Sequence, residues 1–229
     1  MKILLLAAVL LEVLLVLFYM FSPLVKSGKR NLAAKTSCSV LFVAIAVLAA
    51  KASGGYTTYG AWMTAGAVCG ALGDIILKMD VKSPRFFAGL CSFLVGHIFY
   101  ATAFASRLCT LTSVQTVLLI ASIAALSLAI FLFGKRLRIK PGKALLPLTL
   151  YVFAICTMLV SAWAAVCVSA HTFGAALCVL LGAALFTASD ATLGLRTFAK
   201  DKVYVHRLST PITYFSAQTL LALSICFVR

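Results

Sequence analysis

Acidic residues are scarce. Asp and Glu number 5 against 20 Lys and Arg, and only 11% of the 229 residues carry charge. A water-soluble domain has about 25% charged residues, so this chain is not one. Its 8 cysteines (Cys38, Cys69, Cys91, Cys109, Cys156, Cys167, Cys178 and Cys226) form no CxxC pair and no His/Cys ligand spacing. That excludes a zinc site and a disulfide framework, and leaves the thiols as small buried hydrophobes. No phosphate-cradling glycine loop occurs, so neither a metal nor a nucleotide cofactor is expected.

Apolar residues make up 63% of the chain. A bilayer-spanning helix needs about 20 of them. Cutting at charge clusters and Gly/Pro punctuation gives eight runs, near 3–21, 32–50, 57–78, 85–106, 111–133, 143–168, 172–195 and 208–228. Nothing is left over for a soluble domain, and no run alternates like a barrel strand. The expectation is an all-α polytopic membrane protein, a single domain over 1–229 with eight transmembrane helices in one bundle. The run from Ile3 to Phe21 is too long for a signal-peptide core and reads as the first span.

The formal charge of +15 would suit a nucleic-acid binder if it were contiguous. It is instead broken into short runs between apolar stretches, the pattern of anchoring to anionic membrane lipids, and no nucleic-acid partner is expected. Sixteen Lys and Arg fall in the odd-numbered loops; only Lys2, Lys51, Arg107 and Arg229 fall elsewhere. This bias puts the odd loops in the cytoplasm and both termini outside. Gly66, Ala67, Asp74 and Leu77 recur as Gly182, Ala183, Asp190 and Leu193 at an offset of 116. The third and seventh runs share one orientation, so a parallel duplication of a four-helix unit fits.

An ionisable side chain inside a span costs at least about 2.5–3.5 kcal/mol on insertion scales, which makes each a candidate site. Those inside the runs are Glu12, Asp74, His97 and Asp190, with Lys35 near one end. Asp74 precedes Lys78 by four residues and Asp190 precedes Arg196 by six, which predicts similar depths in one leaflet. An i, i+4 ion pair of Asp74 with Lys78 is the purely structural alternative. His97, Tyr100, Tyr151, Tyr214 and Gln218 are polar points on helices four, six and eight, each able to serve as interhelical glue. Glu12 has no evident partner. Gly66, Gly70, Gly73, Gly89 and Gly96 read as close-packing surfaces. Paired intramembrane carboxylates suit acid–base catalysis, and they equally suit a proton- or cation-coupled small-solute transporter. No proline interrupts the third or seventh run as a transporter's half-helices would require.

The ordered set Gly73-Asp74-Ile75-Ile76-Leu77, Phe87-Ala88-Gly89-Leu90, Phe93 to Tyr100, Gly182 to Asp190 and Thr213 to Gln218 resembles the YhhN family of membrane proteins. Lys35, and Pro147 with Tyr151 and Met158, extend the resemblance over nearly the whole chain, although Thr36 stands where proline is expected. The resemblance implies a lysoplasmalogenase: an enzyme that hydrolyses the vinyl ether bond of a lysophospholipid substrate to a fatty aldehyde and a glycerophospho-ethanolamine or -choline. It makes Asp74 and Asp190 the catalytic pair. Lys35, His97, Tyr100, Tyr151, Tyr214 and Gln218 are then expected around the substrate. An enol ether is cleaved by protonating its β-carbon, which needs an acid that still holds its proton near neutral pH. Desolvation and a second carboxyl nearby favour that form in general.

Overall fold

A computed structural model describes residues 1–25, 28–77, 83–108, 111–139, 141–168, 172–199 and 208–228; Lys78, Cys109 and Arg229 lie outside the described residues. Among the described residues there are eight α-helices: α1 (Lys2–Phe21), α2 (Gly28–Ala52), α3 (Thr58–Ile76), α4 (Pro84–Ala105), α5 (Ser113–Arg136), α6 (Leu145–Val168), α7 (Phe173–Phe198) and α8 (Ser209–Ser224). Helices follow from the solvent, because hydrocarbon offers no hydrogen bonds to a backbone that is not paired within its own segment. Side-chain caps set several starts: Thr57 accepts from Gly60 N–H, Ser83 from Arg85 N–H and Thr172 from Ala175 N–H. Thr112 and Gln115 form a reciprocal capping box at α5.

Six of the eight, all but α3 and α8, are long and apolar enough to cross a membrane. The chain is an integral multi-pass membrane protein. α8 has 16 residues and stops at Ser224, short of the 228 expected. α2 begins four residues earlier than its apolar run, at Gly28, and α5 and α7 continue to Arg136 and Phe198. Each extension takes in basic residues, which do not break a helix but carry it past the hydrocarbon edge into water.

The helix neighbours repeat. α3 packs on α4 as α7 packs on α8, and α2 packs on α3 as α6 packs on α7. α2 meets α8 as α6 meets α4, and α1 lies against α2 as α5 lies against α6. A parallel four-helix duplication would give this pattern of neighbours, and α2, α3, α4, α6, α7 and α8 close a ring of six helices.

Glycine sets the closest approaches. A Cβ on Gly66 would stand 2.6 Å from the Tyr100 ring, on Gly70 2.5 Å from Gln218 Nε2, on Gly73 2.7 Å from Phe93 and on Gly89 2.7 Å from Leu77 Cα. Van der Waals packing of this kind replaces the hydrophobic effect as the adhesive between helices in lipid. The cysteines divide. Cys38, Cys156 and Cys178 are buried as expected, whereas Cys91 and Cys167 are exposed on the outside of the bundle.

Glu12 on α1 is 2% exposed, and neither carboxyl oxygen receives a hydrogen bond. A buried polar group without a partner subtracts stability. Replacement Glu12→Leu is therefore expected to stabilise the fold by about 1–3 kcal/mol, read as a higher melting temperature in detergent. A lower melting temperature would show that the carboxyl has a role in the fold.

Candidate active site

Asn31, Lys35 and Ser39 follow one another at i, i+4 spacing on α2 and share one face of that helix. From this face Lys35 Nζ reaches Asp74 Oδ1 at 2.8 Å, and Ser39 Oγ donates to Asp74 Oδ2 at 2.6 Å. From α8, Tyr214 OH donates to the same Oδ2 at 2.8 Å. Behind it, Gln218 Nε2 donates to Tyr214 OH at 3.3 Å and Tyr100 OH donates to Gln218 Oε1 at 2.5 Å. Asp74 is 3% exposed and receives three donors, one of them cationic. This is a cage for a carboxylate anion. Its ionic partner among the described residues is a lysine on the adjacent helix α2; the alternative pairing with Lys78 lies outside the described residues.

Asp190 is held differently. Tyr151 OH donates to its Oδ2 at 2.5 Å, and His97 Nε2 lies 2.9 Å from the same oxygen and 3.1 Å from Tyr151 OH. His97 Nδ1 faces Met158 Sδ at 3.3 Å. A thioether can only accept, so this contact favours the tautomer with the proton on Nδ1 and turns Nε2 towards exchange with Asp190. No hydrogen bond is made to Asp190 Oδ1 by the described residues. The side chain of Asp190 is 11% exposed, against 2% for Asp74.

The two carboxyls occupy equivalent places in the repeat. Asp74 on α3 is bonded from α2 and α8; Asp190 on α7 is bonded from α6 and α4. Lys35 and Tyr151, which reach them from α2 and α6, are separated by 116 positions, the same offset as the aspartates. Phe186 joins the two halves, with its ring edge-on to His97 at 4.7 Å and to Tyr214 at 5.5 Å between centroids.

Both aspartates line one cavity of about 380 Å³ at the end of the bundle that bears the odd-numbered loops. Lys35 and Arg196 bring two cations and Asn31 an amide to that chamber beside the two carboxyls, which makes it polar. A second cavity, of about 240 Å³ and almost wholly apolar, lies between α4, α5, α6 and α7. Leu77, Phe93, Asp190 and Leu193 border both. Asp190 thus stands at the junction of a polar and an apolar space.

The whole chain was compared with known proteins. Residues 30–225 match the YhhN family. The chain belongs to that family. Lysoplasmalogenase TMEM86B of Sus scrofa is 34% identical over 186 residues, covering 81% of this chain and 71% of its own length. The protein of that name from Mus musculus is 34% identical over 189 residues, with 82% and 72% covered. No solved structure matches the chain.

The six polar residues expected around the aspartates all join the network, at different distances from the cavity. Lys35 and Tyr214 line the polar chamber and Tyr151 lines the apolar one. His97, Tyr100 and Gln218 are at most 1% exposed and line neither, so they act by holding other side chains. Ser39 and Asn31 are not singled out by the sequence, although their i±4 spacing from Lys35 is the signal that would find them. Among the described residues no three His, Cys, Asp or Glu side chains group closely enough to hold a metal ion.

Removing one member of the Lys35–Asp74 pair leaves the other charge desolvated. Lys35→Met is expected to lower stability by about 1–3 kcal/mol. Adding Asp74→Asn to that variant should restore part of the loss, a positive coupling that a double-mutant cycle of melting temperatures would read.

Proposed function

We propose that this chain is a hydrolase of the bilayer that cleaves the vinyl ether bond of lysoplasmalogens, releasing a fatty aldehyde and a glycerophospho-ethanolamine or -choline. Relatives named lysoplasmalogenase support the reaction class. The observation that carries the mechanism is the unequal engagement of two carboxyls on one cavity. Asp74 receives three donors, whereas none of the described residues hydrogen-bonds Oδ1 of Asp190, which lines the same cavity.

In this reading Asp190 is the acid. One proton between Asp190 Oδ2 and His97 Nε2, 2.9 Å apart, can reside on either atom, so the imidazole acts as a proton store. Asp190 delivers a proton to the β-carbon of the enol ether, and the π electrons form the new C–H bond. Positive charge develops on the ether oxygen and its adjacent carbon, an oxocarbenium ion that the fixed negative end of Asp74 helps to stabilise. Water then adds to that carbon and gives its proton back to Asp190. The resulting hemiacetal breaks its C–O bond, yielding the aldehyde and the glycerol hydroxyl. Lys35 and Arg196, in the polar chamber, would bind the phosphate of the head group.

Purified protein in detergent, given lysoplasmalogen and assayed for fatty aldehyde, tests this directly. Asp190→Asn and Asp74→Asn keep the side-chain volume and remove the titratable group. Each is expected to cut aldehyde release by about 10²–10⁴-fold. The double variant should be little slower than the slower single one, because the two groups serve one step. Absence of aldehyde from the unmutated protein, whatever the head group, would refute the hydrolase and favour proton-coupled transport.

A further inference from the structure

Most glycines inside these helices are explained by contact. A Cβ would come within 3.4 Å of a neighbouring atom at Gly60, Gly66, Gly70, Gly73, Gly89, Gly96, Gly174 and Gly182. Gly194 in α7 is different. A Cβ there would meet nothing within 4 Å, and at Gly134 in α5 it would meet only Ile139 at an ordinary 3.5 Å. A helical glycine loses backbone order relative to alanine, and at these two positions no helix approaches closely enough to require it. Both line the apolar chamber. Gly194 lies one turn beyond Asp190, on the same face of α7.

We infer that the apolar chamber is the subsite for a single hydrocarbon chain of the lipid substrate, with Gly134 and Gly194 preserving its width. This rests on the hydrolase reading for the identity of the occupant. Three features select a chain. The chamber is almost wholly apolar and borders Asp190, where it meets the polar chamber through Leu77, Phe93 and Leu193. An amphiphile with a phosphate beside Lys35 and Arg196 and a chain in the apolar space has its head–chain junction, the reacting bond, at Asp190. Phe86, Phe198 and Ile139 pack over the end of the chamber nearest the odd-numbered loops, with Ile139 bridged to Ala199. These side chains separate that end of the chamber from the loops. Its outer wall is α5, of which Ile123 alone is buried among the described residues, so hydrocarbon of the bilayer borders the chamber. An apolar chamber beside a polar mouth matches the outline of a one-chain lipid.

Filling the chamber tests this. Gly194→Phe introduces a ring into empty space, and Gly194→Ala only a methyl group. On a lysoplasmalogen with a long alkenyl chain, Gly194→Phe should lower kcat/KM by about tenfold or more, because the reacting bond is displaced, and Gly194→Ala should lower it less. On a substrate with a short alkenyl chain the loss in Gly194→Phe should be under about threefold. Equal loss on both chain lengths, or none on the long one, overturns the subsite. A second measurement needs neither variant nor turnover: the unmutated protein is photolabelled with a lysolipid bearing a diazirine in its chain. Label on 130–137 and 187–198, displaced by excess lysoplasmalogen but not by phosphatidylcholine, supports the proposal. Label confined to α1 or α8, or displaced equally by both lipids, overturns it. If the unmutated protein releases no aldehyde, the reaction fails while labelling still decides whether the chamber takes a chain.

Discussion

A carboxylate in hydrocarbon must be surrounded by donors or it will not stay there. The architecture of this protein follows from meeting that condition twice. Asp74 draws Lys35 and Ser39 from α2 and Tyr214 from α8; Asp190 draws Tyr151 from α6 and His97 from α4. Those bonds tie together the helices of the ring, and the glycines of α3 allow α4 and α8 to approach near enough to make them. Polar satisfaction and close packing are one requirement here, since Gly70 leaves room for Gln218, which in turn supports Tyr214.

The repeated unit puts the two aspartates in equivalent places, but their partners differ. At the position reached from α2 stands Lys35, a cation; 116 residues later stands Tyr151, a neutral donor. Asp74 is therefore fully paired. Asp190 lies 2.9 Å from His97 Nε2 and keeps one oxygen unengaged by the described residues. Different surroundings for identical side chains are the general route by which two carboxyls acquire two roles, and the proposed mechanism uses this difference.

The cavities extend this division from charge to polarity. Lys35, Asn31 and Arg196 border the larger chamber, whereas aromatic and aliphatic side chains enclose the smaller. Asp190 belongs to both. A lipid with one chain would present the same order of polar, reactive and apolar segments, which is what the proposed function requires.

Composition and hydropathy alone identify a bilayer protein and eight helices, because solvation in lipid acts on every residue and leaves its trace in local sequence. The helix ends at Gly28, Arg136, Phe198 and Ser224 depart from that reading, since a helix can run on past its apolar stretch or stop short of it. Asp74, Asp190 and the polar points on helices four, six and eight are visible in the sequence because each is expensive where it lies. Their pairing is not. That Asp74 joins Lys35, that Met158 faces His97, that Ser39 belongs to the site and that Gly194 borders an open chamber depend on contacts between distant helices. Hydropathy reports whether a side chain can leave water. Only the tertiary structure decides which side chain it meets there.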